Sequence, residues 1–501
     1  YVQISDLHNL SSTTQYFNGR DKGGDLSATV NGDGSQATPF RDFTSVNAGL
    51  WNGNEVRVKR GTSRVVDAGT RANVEAAAGC LITSYGDAAA PLPVISGGGT
   101  NFNPVWLRSG ASITAQQLHI TLSAGSGLQC SAISGATLNN ITLQDILVTR
   151  TNQSNIAGSD GVSIGNLAGI KDGGAVTNVV ARRITGRDNN GHGLKVRDRA
   201  TGVQVWDSTF VRSGLSSPSH GCGTCGSHYV LPTPATGWTN ISGNVWERTI
   251  PSDVTGKVTN ITEIFGVYVA GAFPYYQLTP SSTPLTPGLG ECGLNGNNVV
   301  RINIGANPSV LAECWVIYAV PKDVALINCI GASTTDSNGV EGQGVYFDIG
   351  SLRCRSYNCA GVDNAGHGAY FNVTNNCSHD GFYSANNGKG AASSGSGRDS
   401  RFHNSVLIAL PGTNGIDFLT GSTGTARRNQ IIGATIGINC SNPTAQTIAE
   451  DENVFVNCGT RLFQVNTPGS RSSDRSTIII GRGNMTAFQA RQRIAAAALV
   501  I

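Results

Sequence analysis

A four-residue phrase recurs along the chain: a glycine, an apolar residue, any residue and a second apolar residue. It reads GLQC, GVSI, GLKV, GVYF, GAYF, GIDF and GINC, starting at Gly127, Gly161, Gly193, Gly344, Gly368, Gly415 and Gly437. The spacings are 34, 32, 24, 47 and 22 residues where no long interruption intervenes. A period above about 20 residues that contains several short strands is typical of a solenoid.

The alternation inside the phrase decides which solenoid it is. Successive side chains of a strand point to opposite faces, so the two apolar residues share one face and the middle residue takes the other. Phrases stacked about 4.8 Å apart form a parallel sheet with a continuous apolar face. A propeller would show about four antiparallel strands per blade at more constant spacing. We therefore predict an all-β chain: a right-handed, single-stranded parallel β-helix with short capping helices, whose phrase glycines lie in one column.

Composition divides the chain into five predicted regions. An entry and capping segment with the first coils covers 1–95, the first part of the β-helix 96–232, a β-rich insertion 233–320, the second part 321–465, and a C-terminal cap or tail 466–501. The insertion is predicted because the phrase disappears there and aromatic and proline residues accumulate. Helices are expected just after Pro39 and from Met485 to Leu499, a stretch rich in Ala, Gln and Arg.

Charge and hydropathy exclude several function classes. The chain has 35 Lys and Arg against 32 Asp and Glu, a net charge of +3, which gives no basic footprint for nucleic acid. Its longest uninterrupted apolar run, Ile494 to Ile501, is far shorter than the ~20 residues of a membrane span. We expect neither a nucleic-acid partner nor membrane insertion. Because the sequence begins at Tyr1 without a visible signal peptide, we also expect a processed or truncated chain.

The cysteines offer one candidate metal motif. Among 12 cysteines, Cys222 and Cys225 alone are closely spaced, with His220 and His228 beside them. A zinc site of this kind usually needs a second pair of ligands, and none is obvious. We expect a glycine-rich loop with two incidental thiols and no cofactor; a metal at this loop is the alternative.

The opening of the chain carries a family resemblance. The segments DGSQATPF, GNEVRVKRGT, ITSYGD and PVISGG between Asp33 and Gly98, together with the glycine phrases, resemble right-handed β-helix polysaccharide-degrading proteins. These include pectate-lyase-like enzymes and bacteriophage tailspike depolymerases, and the resemblance covers about Asp33 to Val465. It implies a carbohydrate substrate, usually an acidic or surface polysaccharide.

Catalytic groups of such a fold must share a column. The middle, outward residues of the phrases are Ser163, Lys195, Tyr346, Tyr370, Asp417 and Asn439, and the turn before them supplies Asp160, His192, Gln343 and His367. One rung of ~4.8 Å is close to the ~5–5.5 Å between the carboxylates of retaining glycosidases, and two rungs come near the inverting range of ~6.5–9.5 Å.

The motif DNNGHG, from Asp188 to Gly193, returns as DNAGHG from Asp363 to Gly368. It predicts two candidate centres. The predicted catalytic residues are Asp160, Asp188, His192 and Lys195 in the first, and Glu341, Asp363 and His367 in the second. The predicted substrate-binding residues are Arg197, Tyr346, Tyr370 and Asp417. Asp, Asn and Gly at solenoid corners also form tight turns through side-chain-to-backbone bonds, so a structural role for each Asp is the alternative.

Two family patterns can be compared with these residues. Gly191-His192-Gly193 matches the Gly-His-Gly of polygalacturonases, but the sequence has no Asp-Asp pair, and Lys195-Val196-Arg197 reverses their Arg-x-Lys. β-Helix lyases use a Lys or His base with an Arg near the uronate carboxylate, parts that Lys195, Arg197 and His192 could supply. The calcium-binding carboxylate cluster of pectate lyases is not recognisable.

The resemblance favours a tailspike-type depolymerase. We predict paired-carboxylate hydrolysis of a bacterial surface polysaccharide, O-antigen or capsule, by a homotrimer located in the virion or outside the cell. One alternative is a polysaccharide lyase secreted by a bacterium, acting by β-elimination at uronic acids. The other is a non-catalytic adhesin that binds polysaccharide.

Overall fold

The structure is a computed structural model. It describes residues 22–24, 39–47, 51–100, 103–133, 136–152, 160–166, 174–215, 220–225, 227–231, 237–249, 264–271, 277–295, 299–318, 320–335, 342–395, 397–419, 422–440, 447–463, 473–475 and 485–499.

Sheet 1 carries the glycine phrases. Its 12 strands within the described chain stack in parallel, one per coil. They are Ala72–Val74, Val105–Leu107, Leu128–Cys130, Asp160–Ile164, His192–Val196, Cys222–Thr224, Val345–Phe347, His367–Asn372, Gly390–Gly395, Asn414–Phe418, Ile436–Cys440 and Thr460–Phe463. The spacing of 47 residues between Gly368 and Gly415 contains one additional coil. Its sheet 1 strand, Gly390–Gly395, lacks the phrase.

Sheets 2 and 3 complete each coil. Sheet 2 comprises Lys22–Gly24, Glu55–Lys59, Ala77–Ala78, Leu81–Tyr85, Gly110–Thr121, Thr137–Thr149, Ala175–Arg182, Ala200–Trp206, Ala325–Ile327, Arg355–Tyr357, Ser378–Asp380, Ser400–His403, Thr423–Arg427 and Thr447–Asp451. Sheet 3 comprises Ser63–Val65, Val94–Ser96, the ends of the two long strands of sheet 2, Thr185–Asn189, Thr209–Ser213, Ile330–Ala332, Ala360–Val362, Tyr383–Ala385, Val406–Ile408, Gln430–Ile432, Val454–Val456 and Ser473–Arg475.

The chain is a right-handed parallel β-helix, which confirms the predicted fold. The apolar residues of each phrase fill its interior: Leu194 and Val196, or Val345 and Phe347, are fully buried. The phrase glycines lie in one column, because a Cβ on Gly161 would meet the carbonyl oxygen of Gly193 at 2.4 Å, and the same holds from coil to coil. The neighbouring coil approaches each phrase glycine closely, whereas Ala391 and Arg461 occupy the column in two coils that lack the phrase.

The insertion follows the sheet 1 strand Cys222–Thr224 and precedes the sheet 2 strand Ala325–Ile327. Its strands pair antiparallel, except that Gln277–Pro280 pairs in parallel with Glu291–Asn295. In spatial order its strands are Ser227–Leu231, Leu311–Tyr318, Ile264–Gly271, Gln277–Pro280, Glu291–Asn295, Val299–Asn303, Val245–Thr249 and Thr239–Ser242, with a 3₁₀ turn at Pro308–Val310. Ser227 pairs with Tyr318, so the chain leaves and re-enters the β-helix at adjacent points. Sheet 2 is therefore continuous across the gap: Gln204 pairs directly with Ala325.

Two α-helices lie at the predicted positions. Thr44–Asn47 brings Phe43 and Val46 into the core at the first coil, where Trp51 is also buried. Ala487–Leu499 does not cover the last coil but packs on the outer face of sheet 3, where Arg493 donates hydrogen bonds to the carbonyl oxygens of Ser208 and Asn328. Among the described residues, no helix has the length and apolar character that crossing a membrane takes.

We predict that Gly415→Ala destabilises the β-helix. An added Cβ would lie 2.4 Å from Cγ2 of Ile431 and 2.5 Å from the carbonyl oxygen of Gly437, and overpacking of this kind costs roughly 1–3 kcal/mol. Thermal unfolding should show a lower melting temperature than in the wild type. Gly69→Ala is the matched control, because its Cβ would meet one atom at 3.5 Å. Equal melting temperatures for the two variants would contradict the glycine column.

Candidate functional site

The turn column places five polar residues on successive coils. Asp160 pairs with His192, Gly193 N–H donates to the His220 carbonyl, Gly221 N–H to the Gln343 carbonyl, and Gly344 N–H to the His367 carbonyl. The column therefore runs Asp160, His192, His220, Gln343 and His367. The coils bring together residues that are more than two hundred positions apart in the sequence.

The outward column of sheet 1 runs beside it. Register pairs give the order Asn73, Trp106, Gln129, Ser163, Lys195, Gly223, Tyr346, Tyr370, Ser393, Asp417 and Asn439. Every outward residue named from the phrases lies in this column. The register also adds Gly223 between Lys195 and Tyr346, and its missing side chain makes room for the Tyr346 ring.

Asp160 is the centre of the site. Its carboxylate is fully buried and receives Nε and Nη2 of Arg197 at 3.0 and 2.6 Å on Oδ2. Oδ1 lies 2.9 Å from Nδ1 of His192. Burial alone would raise the pKa of Asp160, but Arg197, His192 and Lys195 outweigh it and lower the pKa to about 2. The carboxylate is therefore ionised at neutral pH.

His192 is held as a neutral imidazole. Burial lowers its pKa to about 4, Lys195 adds to the shift, and Asp160 opposes it. An ionised carboxylate only accepts hydrogen bonds, so the ring keeps its proton on Nδ1, facing Asp160, and Nε2 carries a free lone pair. The His192 side chain is 11% exposed to solvent, so part of the ring can be reached from outside. This arrangement suits a general base.

Tyr346 supplies a hydroxyl next to the two histidines. Its ring centroid lies 4.1 Å from that of His220 and 5.5 Å from that of His192. The ring packs over Gly223, where a Cβ would come within 2.6 Å of Tyr346 Cδ1. The hydroxyl is buried and has no hydrogen-bond partner in the described part of the chain. Burial, with the negative charge of Asp160 nearby, raises its pKa well above 10, so the phenol keeps its proton.

Two cations and a thiol border this cluster. Lys195 is half-buried on the outer face and acts electrostatically on Asp160 and His192. Arg197, predicted to bind substrate, instead turns its guanidinium to Asp160 and is buried. Burial raises the pKa of Cys225 to about 12, so its sulfur is a neutral thiol.

Other predicted catalytic residues lie elsewhere. Asp188 sits at the end of a sheet 3 strand in the left-handed conformation, with φ 57°, and its carboxylate pairs with Arg212 and Arg187. Asp363 has the same φ of 57° and accepts a hydrogen bond from Asn386. Glu341 lies outside the described residues. The structure does not bring Asp188 or Asp363 to Asp160; both occupy coil corners.

The second centre therefore has a different make-up from the first. His367 contacts an amide, since its Nδ1 lies 3.3 Å from Oε1 of Gln343, and its ring lies parallel to Tyr370 at 5.8 Å between centroids. Asp417 lies three rungs beyond Tyr346 and accepts hydrogen bonds from Asn414 and Asn439. Burial raises its pKa.

Sequence reasoning missed His220 and Gly223 as site residues. Their coil reads SHGCGT, and its last residue is Thr instead of an apolar one, so the phrase search passed over it. The pair His-Gly, which precedes Leu194 in the same way, is the signal that would have found His220. The two thiols of this segment do not converge: Cys222 belongs to the main core, whereas Cys225 packs with Val320 and Ile349. No group of three potential metal ligands occurs among the described residues.

Several solved structures are similar to this chain at low sequence identity. The A-module of the mannuronan C-5 epimerase AlgE4 from Azotobacter vinelandii is similar over 86% of this chain and 92% of its own, with 11% identity and a TM-score of 0.46. A GH136 lacto-N-biosidase from Eubacterium ramulus is similar over 91% of this chain and 67% of its own, with 10% identity and a TM-score of 0.43. The tailspike gp49 of Acinetobacter baumannii bacteriophage Fri1, a capsular polysaccharide depolymerase, is similar over 88% of this chain and 59% of its own, with 10% identity and a TM-score of 0.36.

All three are at most 11% identical to this chain, and each TM-score is below 0.5. No protein-family model and no curated protein sequence matches the chain.

We predict strong coupling between Asp160 and Arg197. Asp160→Asn or Arg197→Met leaves one buried charge without its partner, and breaking such a pair costs about 3–5 kcal/mol. The double variant removes both charges and should be more stable than either single variant in urea unfolding. Arg183→Met, which breaks an exposed pair with Asp145, is the control and should change the unfolding free energy little. Additive effects of the two Asp160–Arg197 substitutions would contradict the geometry.

Proposed function

We propose that the protein depolymerises a uronate-containing bacterial surface polysaccharide by β-elimination at the Asp160 centre. One observation carries the proposal: a neutral imidazole, His192, and a protonated phenol, Tyr346, lie side by side, and Lys195 lies on the same strand as His192. A base, an acid and a cation are the three parts that elimination at a uronic acid requires.

Each part has a defined task in the reaction. Lys195 would pair with the uronate carboxylate and stabilise the negative charge that develops as the C5 proton leaves. His192 Nε2 would accept that proton, while Asp160 stabilises the resulting imidazolium through Nδ1. The electron pair of the C5–H bond forms the C4–C5 double bond and the C4–O bond breaks. Tyr346 would give its proton to the departing glycosidic oxygen. Proton exchange with solvent then restores both side chains.

The unpartnered hydroxyl of Tyr346 supports this assignment. Burying a polar group without a partner costs roughly 1–3 kcal/mol, so such groups are rare in folded chains. A hydroxyl reserved for the leaving oxygen accounts for the missing partner. His220 and Gly223 fix the ring that carries it, because the first packs against its face and the second leaves room below.

Paired-carboxylate hydrolysis finds less support in this centre. That mechanism needs one carboxyl protonated at neutral pH as the general acid and a second as nucleophile or base. Asp160 has a pKa of about 2 and is engaged by Arg197 and His192, so it cannot serve as the acid. Asp188, its predicted partner, pairs with arginines on sheet 3.

The test is an assay with acidic bacterial surface polysaccharides as substrates. The wild type should release oligosaccharides with an ultraviolet-absorbing, unsaturated uronate at the new end. His192→Ala and Tyr346→Phe should each lower the rate by about 10²–10⁴-fold, because each removes a proton-transfer group. Tyr346→Phe should keep the melting temperature close to that of the wild type, because it removes only a hydroxyl without a partner among the described residues.

His367→Ala and Asp188→Asn are the controls. His367 occupies the same column beside the amide of Gln343, and Asp188 occupies a coil corner, so both variants should cleave at a near wild-type rate. Products that have gained water and show no ultraviolet absorbance would indicate hydrolysis and contradict elimination. Polymer binding without any shortening would indicate the non-catalytic adhesin.

We also propose that the chain works outside the bacterial cell as a homotrimer, as a phage tailspike does. Support comes from the resemblance in the entry segment and the glycine phrases. Sedimentation equilibrium should give three times the mass of one chain at micromolar concentration. The mass of a single chain would instead favour the secreted, monomeric lyase.

A further inference from the structure

A second polar cluster lies on the same face of sheet 1. Trp106 belongs to the outward column that contains Lys195, and the register between them runs through Gln129 and Ser163. Three rungs of about 4.8 Å place the two attachment points about 14 Å apart along the β-helix axis. Val105 and Leu107 are fully buried, so the strand turns the indole to the outer face.

Two guanidinium groups lie against the Trp106 ring. The Cζ atoms of Arg71 and Arg108 are 4.9 and 4.5 Å from the ring centroid. The indole is fixed in place, since its Nε1 donates to Oγ of Ser131 at 2.8 Å, and the same Oγ accepts from Gln129. The orientation of the indole is therefore set by the protein itself.

The positive charge of this cluster is only half compensated. Arg108 meets the carboxylate of Glu75 at 3.1 Å, and Glu75 is 46% exposed. Arg71 donates from Nε to the neutral amide oxygen of Asn73 at 3.1 Å. Burial, and secondly the charge of Arg108, lowers the pKa of Arg71, so the two cations repel each other. The cluster also contains an unsatisfied hydrogen-bond donor, because Nε of Arg108 is buried and has no partner among the described residues.

We infer that Arg71, Trp106 and Arg108 form a distal binding site for a negatively charged sugar of the polymer that is cut at the Asp160 centre. Guanidinium groups bind carboxylate and sulfate through paired hydrogen bonds, and an anion here would relieve the repulsion between the two arginines. The ligand class is an extended acidic polysaccharide that lies along sheet 1. The inference rests on the proposed function for the direction and identity of that polymer.

The test measures how the affinity for oligosaccharides depends on their length, using the His192→Ala variant so that the ligands are not cleaved. Size-fractionated oligogalacturonates and oligomannuronates, from disaccharide to decasaccharide, are titrated by calorimetry, with dextran as the neutral polymer. Affinity should rise with length once a chain reaches from Lys195 to Arg71 and Arg108. Adding Arg71→Gln and Arg108→Gln should remove this rise and weaken the longest acidic ligands roughly tenfold or more, leaving disaccharide affinity unchanged.

A matched control carries Arg183→Gln and Arg353→Gln. These arginines form exposed pairs with Asp145 and Asp323, so the net charge changes equally while the affinities should stay as in the parent. The inference is overturned if acidic ligands bind no better than dextran, or if the Arg71 and Arg108 substitutions leave the length dependence intact. If the two arginines contribute to binding but the wild type releases no unsaturated product, the distal site is supported and the proposed elimination is contradicted.

Discussion

The in-register stacking of coils is the constraint on which the whole structure depends. Hydrogen bonds between parallel strands fix the rise per coil at about 4.8 Å, and every side chain therefore has a defined neighbour above and below. Asp160 meets His192 for this reason, although 31 residues separate them. The close approach also explains the glycines of the phrase, since a Cβ on Gly161 or Gly415 would collide with the next coil. An insertion can interrupt the solenoid without disturbing it, because the chain returns at the point where it left.

The sequence predicted the columns better than the corners. Alternation within the phrase was enough to place Lys195, Tyr346 and Tyr370 on one outward line. The motif DNxGHG was harder to interpret, because its Asp takes a left-handed conformation that turns the carboxylate towards an arginine or asparagine of the next coil. Its Asn is equally structural: Asn189 and Asn364 each accept a hydrogen bond from a buried threonine hydroxyl. Periodicity gives the rung of a residue, but the backbone conformation decides where its side chain points.

The ionised Asp160 connects the fold to the proposed chemistry. A buried ion pair is seldom a net source of stability, since the desolvation of two charges offsets their attraction. Its retention beside Lys195, His192 and Tyr346 is better explained by preorganisation, because a fixed anion orients His192 and stabilises its protonated form during catalysis. The coil fold supplies the rigidity: Asp160 begins one strand of sheet 1, Arg197 directly follows the next, and the register between these strands is fixed. Sequence alone could not reveal this pairing, because Arg197 follows the phrase and its orientation depends on the turn into sheet 2.

The central claim is that an ionised Asp160 holds His192 as a neutral base with its proton on Nδ1. Neutron diffraction from crystals grown at pH 7 tests it most directly, because protons on the imidazole and the carboxylate become visible. We expect a proton on Nδ1 of His192, none on Nε2 and none on Asp160. A proton on Nε2, or on the carboxylate, would contradict this assignment and the elimination mechanism that depends on it.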